Sequence, residues 1–584
     1  MTFDVIIRGG EVIDGKGTPR VKADVGISGD SIAAVGDLSG ASAARTVEAS
    51  GLVVTPGFID MHSHSDQTIL QYPAGESSLG QGITTTVGGQ CGSSLAPLNK
   101  HVNVSLWGAN WKDRVAPAKY YPENTIDLEK AKKAAKEVDG FDINWATYGE
   151  WLDRVEEAKP GLNLVPLVGH GAVRTAVMGK DYRRHATGDE IAAMKRYVAQ
   201  AMDEGAAGIS NGMDYPPGVF CAPEESYEVI GEAARRGGLY STHWRRTGLR
   251  QGFGNPGLIQ GLKEGLDIAK KTGARTEVAH LSSGYLISPQ PTPRLATVAA
   301  EETLVVIDET LKDGVDLMFD VIPNHLTGGT GHQKYLAATL APWFKEAGSF
   351  EQFGQNLKAP DIRQEIRQYI VSGKWYALNP NLQPGWASGI VVTKSAVDEF
   401  NGKNVAQIAL ARNKDPLDAL MDVIAEDPCA CGGSRRPYVL DDALRVFYKH
   451  PLAMVGIDTV LVDETFAVNV PPYGLPNPNT FGGMARFVRL YALGLLGLEE
   501  GVRRLTSLPA KRLCLPDRGV IAPGMKADLV VFKPEAVKEG QDDLEPRQYP
   551  EGYSWVFVNG AAAMENGKLT HSRSGKVLRR RCSG

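Results

Sequence analysis

The chain has 584 residues, 42 % hydrophobic and 22 % charged, with a formal net charge of −5. That is the composition of a folded globular protein, and at this length one large unit and a smaller companion are expected. An acidic balance, with a pI near 6.2, leaves no basic stripe to attract a phosphate backbone, so nucleic acid is not expected as a partner.

No segment approaches the ~20 apolar residues that cross a bilayer, and the first ten residues lack the apolar stretch of a signal peptide. Six scattered cysteines (Cys91, Cys221, Cys429, Cys431, Cys514, Cys582) do not make a disulfide framework. A cytoplasmic protein without a membrane partner is expected.

From the N-terminus, short strands are predicted at Val5–Arg8, Glu11–Ile13, Ala23–Ile27 and Ser31–Val35, separated by Gly-Gly, Asp-Gly and Gly-Asp turns. The same texture returns in Ala527–Phe532 and Trp555–Gly560, which predicts a small β-sandwich built from both chain ends, residues 1–56 and 510–584. Between them, over 57–509, the pattern alternates. A helix over 187–204 with Thr187 and Glu190 as a capping box precedes a strand at Ala206–Ser210. Helices over about 222–236, 257–271 and 296–312 precede strands ending at His243, His280 and Val321. Helix then strand, repeated, predicts a parallel sheet, here a TIM-like (β/α)8 barrel. Residues 335–415 break the rhythm and read as an insertion.

Several strands end in residues that bind metals, and barrel active sites collect at such ends. Gly57–His64 closes an apolar strand on a His-x-His pair, and the period-two alternation turns His62 and His64 to one side. Single histidines, His243 and His280, end two further strands, Asp458 ends the apolar run Leu452–Ile457, and Cys91 follows a β-branched strand. Imidazole, thiolate and carboxylate are the donors zinc takes. Alone, each has an ordinary structural explanation: a buried Cys is a small hydrophobe, and a strand-end Asp caps the following helix. Coincidence accounts poorly for all of them together.

The stretches Pro56–His64, Gly82–Val87 with Gln90-Cys91-Gly92 and Leu95-Ala96-Pro97, Leu167–Gly171, Asp214–Gly218, and the tail segments Thr506–Ala510 and Gly519–Asp528 carry a family resemblance. Over nearly its whole length the chain resembles the D-aminoacylase (N-acyl-D-amino-acid deacylase) group of the amidohydrolase superfamily. The resemblance implies zinc-dependent hydrolysis of an amide C–N bond in a small N-acyl compound. It implies that Cys91, His243 and His280 hold the tighter zinc, and that His62 and His64 with the shared Cys91 form a weaker site. Asp458 is then the general acid/base, and the thiolate takes the place of the carbamylated lysine of hydantoinase-like relatives.

The chain departs from that family at residues expected to meet substrate. The family usually shows His-Lys after the sixth-strand histidine, where this chain has Leu281-Ser282; it shows His-Pro-Arg where this chain has Asn477-Pro478-Asn479. Lys and Arg suit a carboxylate, so their loss predicts an amide, ester, formamide or ring in its place, unless Arg245, Arg246 or Arg486 supplies the charge. Ser282 and Asn479 are candidate substrate residues. Tyr215 is a candidate oxyanion donor, His170 a candidate pocket residue, and His325 and His332 candidate loop contacts.

Gly208–Gly212 fits Gly-x-Ser-x-Gly, but Pro216 and Pro217 hinder the helix that a nucleophile elbow requires. Cys429-Ala430-Cys431 lacks the companions of a structural zinc site. A cyclic-amide hydrolase or a deaminase on the same metal site is the enzyme alternative, and a barrel that serves only as a scaffold is the alternative from another class; a scaffold has typically lost ligands, whereas here all six positions are filled.

Overall fold

Runs such as Ile83–Gly88 and Asn163–Gly169 bury every residue, as parallel strands covered on both faces do. In the computed structural model, which describes residues 2–104, 107, 125–245, 258–285, 292–324, 334–373, 378, 380, 385–434, 441–466, 475–540 and 545–580, these runs form a barrel. Its strands are Phe58–Asp60, Ile83–Gly88, Asn163–Gly169, Gly208–Gly212, Leu239–His243, Arg275–Val278, Leu317–Val321 and Ala453–Val455. They lie side by side in chain order, all parallel. The first and last meet where the Met61 amide donates to the Val455 carbonyl at 3.0 Å. Ile59, Met61, Val87, Leu167, Leu239 and Met454 fill the interior, and Leu508 and Leu513 pack with them.

The alternation of sequence maps onto this barrel. Helices Gly188–Asp203, Pro223–Arg235, Leu258–Thr272 and Pro293–Lys312 fall where the periodicity placed them, and Thr187 and Glu190 form the capping box at the first.

The chain ends meet in one nine-stranded sheet. Val53–Pro56 pairs antiparallel with Leu529–Phe532, and Ile7, Val25, Ile27, Val54, Val531 and Phe557 share its core. One local expectation fails here: Gly9-Gly10 does not turn the chain. Thr2–Val12 is a single strand whose register shifts between Ile7 and Gly10, with Gly9 at φ 69°, so the pair makes a bulge.

The segment that breaks the rhythm lies between the seventh and eighth barrel strands. It has a hydrophobic core of its own, including Phe353, Leu357, Ile366, Phe400 and Leu420. Its sheet pairs Ile390–Lys394 and Lys334–Tyr335 with Cys431–Ser434, beyond position 415. Among the described residues, no helix is long and apolar enough to cross a membrane.

Candidate active site

The backbone at the strand ends aims the candidate side chains. Cys91 (φ 57°), His280 (φ 38°) and Asp458 (φ 50°) all adopt the left-handed region that non-glycine residues avoid. Each such residue costs on the order of 1–3 kcal/mol, and such strain clusters at functional sites. The Cys91 turn is further held by Ser210, whose hydroxyl donates to the Gly89 carbonyl (2.5 Å) and accepts from the Gly92 amide (2.9 Å). The serine of the hydrolase-like motif thus fastens strand four to the Cys91 turn.

The six candidate residues converge. Cys91 Sγ lies 3.2 Å from His243 Nδ1, 3.5 Å from His280 Nε2 and 3.2 Å from His62 Nε2, and the His243 and His280 nitrogens are 3.0 Å apart. Asp458 Oδ1 is 3.1 Å from His64 Nε2 and 3.6 Å from His62 Nε2. Two sets, Cys91–His243–His280 and His62–His64–Cys91–Asp458, each keep their ligating atoms within 4.8 Å of one another. Tetrahedral zinc–nitrogen and zinc–sulfur bonds place their donors roughly 3.3–3.6 Å apart, and the first set, at 3.0–3.5 Å, needs only a slight spreading to reach that spacing.

The electrostatics agree. Burial raises a thiol's pKa, but the imidazoles of His62, His243 and His280 overcome this and hold Cys91 well below its ordinary value. Burial would also raise Asp458; the hydrogen bond from His64 and the charges of His62 and His280 instead hold it below the usual carboxylate range. His64 is pushed up to about 9, because Asp458 and Cys91 outweigh its desolvation.

Beneath this cluster lie groups that the sequence reading did not single out. Asp60 Oδ1 accepts from the His62 and Ile457 amides (3.2 and 3.0 Å), and burial raises its carboxyl to about 7. Asp320 Oδ2, on strand seven, is 3.4 Å from His62 Nδ1, with both side chains fully buried. Glu277 is pushed well above the carboxylate range by burial and then by Asp320. Gln90 accepts from Ser241 (2.6 Å) and donates to the Met61 carbonyl (2.8 Å). The available signal was position: Asp320 occupies the end of a barrel strand as Asp458 does.

The candidate substrate residues differ in their surroundings. The Tyr215 hydroxyl donates to the Cys91 carbonyl at 2.7 Å and its ring meets His243 edge-on, so it braces the Cys91 turn. His170 is buried against Glu225 (2.9 Å), which also accepts from Arg174 (2.9 Å), with Cys221 Sγ 4.0 Å from the imidazole. Ser282 is partly exposed beside buried Leu281. Asn479 is fully buried, and neither its amide nitrogen nor its oxygen has a hydrogen-bond partner among the described residues. It begins the helix Asn479–Phe487, next to Thr480, whose hydroxyl is 2.5 Å from that of Thr459.

Two of the three arginines considered as substitutes are engaged elsewhere. Arg245 donates to Glu264 and to the Met213 and Val219 carbonyls, and Arg486 to Asp441 and the Pro323 carbonyl. Arg246, His325 and His332 lie outside the described residues.

An eight-stranded parallel barrel carrying imidazole, thiolate and carboxylate donors on its strand ends defines the class: this is an amidohydrolase, and the profile described as the amidohydrolase family matches residues 45–303. N-acyl-D-glutamate deacylase from Alcaligenes xylosoxydans xylosoxydans is 30 % identical over 584 residues, covering 100 % of this chain and 97 % of its own. D-aminoacylase from the same organism is 29 % identical, covering 99 % and 98 %. The N-acyl-D-glutamate deacylase of Bordetella bronchiseptica, solved with zinc and a phosphonate mimic of its tetrahedral intermediate, matches at TM-score 0.69 and 27 % identity over 99 % of this chain and 100 % of its own. The chain belongs to the D-aminoacylase family of metal-dependent amidohydrolases.

Proposed function

We propose that this protein is a zinc hydrolase that cleaves the amide of a small N-acyl compound lacking a free carboxylate at the position that the family's arginine and lysine serve. The metal chemistry is supported by the donor set, and by the zinc in the Bordetella relative. Cys91, His243 and His280 are proposed to hold the tighter ion; His62, His64 and Cys91 hold the weaker one. Zinc, when bound there, polarises the amide carbonyl and lowers the pKa of water.

The protein's own part falls to Asp458. Its depressed pKa keeps it ionised at neutral pH, so it enters the cycle as a base. It takes the proton of the attacking water and delivers it to the departing nitrogen, without which an amine leaves poorly.

The observation that carries the substrate reading is Asn479. A buried amide whose donor and acceptor both lack partners costs free energy, about 1–3 kcal/mol, unless a ligand completes it. An uncharged amide, ester or formamide matches an asparagine, whereas a buried carboxylate needs a cation there. Arg245 and Arg486 are spoken for by Glu264 and Asp441.

The test is hydrolysis by zinc-loaded protein of paired substrates, each N-acyl-D-amino acid against its own carboxamide or ester, with Asp458→Asn as the blank. Faster turnover of the uncharged member is expected. Faster turnover of every free acid would mean that another cation binds the carboxylate, and would return the protein to ordinary D-aminoacylase specificity.

A further inference from the structure

His62 is flanked at both ring nitrogens. Nε2 faces Cys91 Sγ at 3.2 Å, while Nδ1 faces Asp320 Oδ2 at 3.4 Å. His62 and Asp320 are both inaccessible to solvent, and neither His62 Nδ1 nor either Asp320 oxygen has a hydrogen-bond partner among the described residues. Room for the pair comes from Gly456, directly after the eighth strand: a Cβ there would lie 2.3 Å from His62 Cβ and 2.5 Å from Asp320 Oδ1. Strands one, seven and eight therefore contribute, respectively, the imidazole, the carboxylate behind it and the missing side chain between them.

His64 is backed differently. Its Nδ1 meets the neutral Gln67 amide at 3.1 Å. The ring nitrogen that binds a metal is set by what its other nitrogen does, and a carboxylate behind a ligating histidine fixes the tautomer and raises its basicity. Asp60, also near, spends Oδ1 on backbone amides.

We infer that Asp320 is a positioning residue of the weaker metal site: from strand seven it receives the Nδ1–H of His62 and keeps the Nε2 lone pair turned toward Cys91. At 3.4 Å the two atoms do not yet make a hydrogen bond, and the His62 ring must both approach and turn toward Asp320 for one to form. This inference rests on the metal-dependent reading above, and gives strand seven a part in it.

The experiment is equilibrium dialysis of metal-free wild type, Asp320→Asn and Asp320→Ala against graded free zinc, with bound zinc per chain measured by mass spectrometry. In wild type one tight and one weaker equivalent are expected. In the variants the tight equivalent stays and the weaker one loses about 10–100-fold in affinity, more for Ala, which keeps no acceptor, than for Asn. A space-filling role would lower the melting temperature and leave the isotherm unchanged, and that result overturns the inference, as does a wild type that takes up a single equivalent.

If neither variant folds, the tautomer in the zinc-loaded wild type decides. In long-range 1H–15N spectra of histidine-labelled protein, the His62 signal, assigned by its loss in His62→Gln, should show a protonated Nδ1; a proton on Nε2 overturns the inference. Wild type that binds no zinc at all sinks the proposed function itself, an outcome distinct from unchanged binding in Asp320→Asn.

Discussion

Asp458 hydrogen-bonds His64 at 3.1 Å and has a left-handed backbone, so its carboxylate is held by both its own strand end and its neighbour. Asp458→Asn keeps the shape and removes the proposed base; turnover should fall about 10²–10⁴-fold, with tightly bound metal unchanged by elemental analysis. Loss of metal along with activity would make Asp458 chiefly a ligand. Gly456→Ala tests packing at the same depth. The added methyl meets the buried side chains of His62 and Asp320, so about 1–3 kcal/mol of overpacking strain is expected. The His62 ring moves in response, and metal titration should show the weaker equivalent lost before the tighter one.

At the scale of elements, the helix Gly188–Asp203 was legible because its signals are local. Apolar residues recur at helical spacing, and the Thr187 and Glu190 side chains satisfy the first free amides. Thr187→Ala should cost about 1 kcal/mol, read as a lower urea midpoint at unchanged slope. The same helix start gives a pH prediction. The Arg184 guanidinium, with help from Thr187, outweighs the opposing effect of burial and holds Glu190 down to about 2 from an ordinary 4.5. A depressed carboxyl stabilises the fold above its unfolded pKa, and that contribution is lost as pH falls from about 4.5 toward 2. Glu190→Gln should therefore be less stable than wild type near neutral pH, and the gap between their urea midpoints should close in that acid window. The pair is solvent-exposed and the gap correspondingly small. Gly9-Gly10 shows the opposite case: turn residues that are equally good bulge residues, with the choice made by the partner strand Val21–Ser28.

Across the whole molecule, the cluster of candidate residues joins strand ends far apart in sequence, from His62 to Asp458, and an ion bound there would cross-link them. Stripping the metal should lower the melting temperature, and re-adding zinc at about 1,000 times its dissociation constant should restore about 4 kcal/mol. A melting temperature indifferent to zinc would count against a site at this barrel mouth. The segment between strands seven and eight has a core separate from the barrel's, so loosening it should leave that transition in place.

The sequence by itself determined the class of fold and singled out His62, His64, Cys91, His243, His280 and Asp458 as candidates, which the structure brings together. Strand periodicity and the chemistry of His, Cys and Asp are written in single short stretches, and a barrel places every strand end at one mouth. Only the tertiary structure decided which partners those residues meet. Asp320 behind His62, Ser210 on the Cys91 turn and Tyr215 on the Cys91 carbonyl join side chains from different strands and loops, and Asn479 is left without a hydrogen-bond partner among the described residues; no local pattern encodes contacts between elements so far apart in sequence.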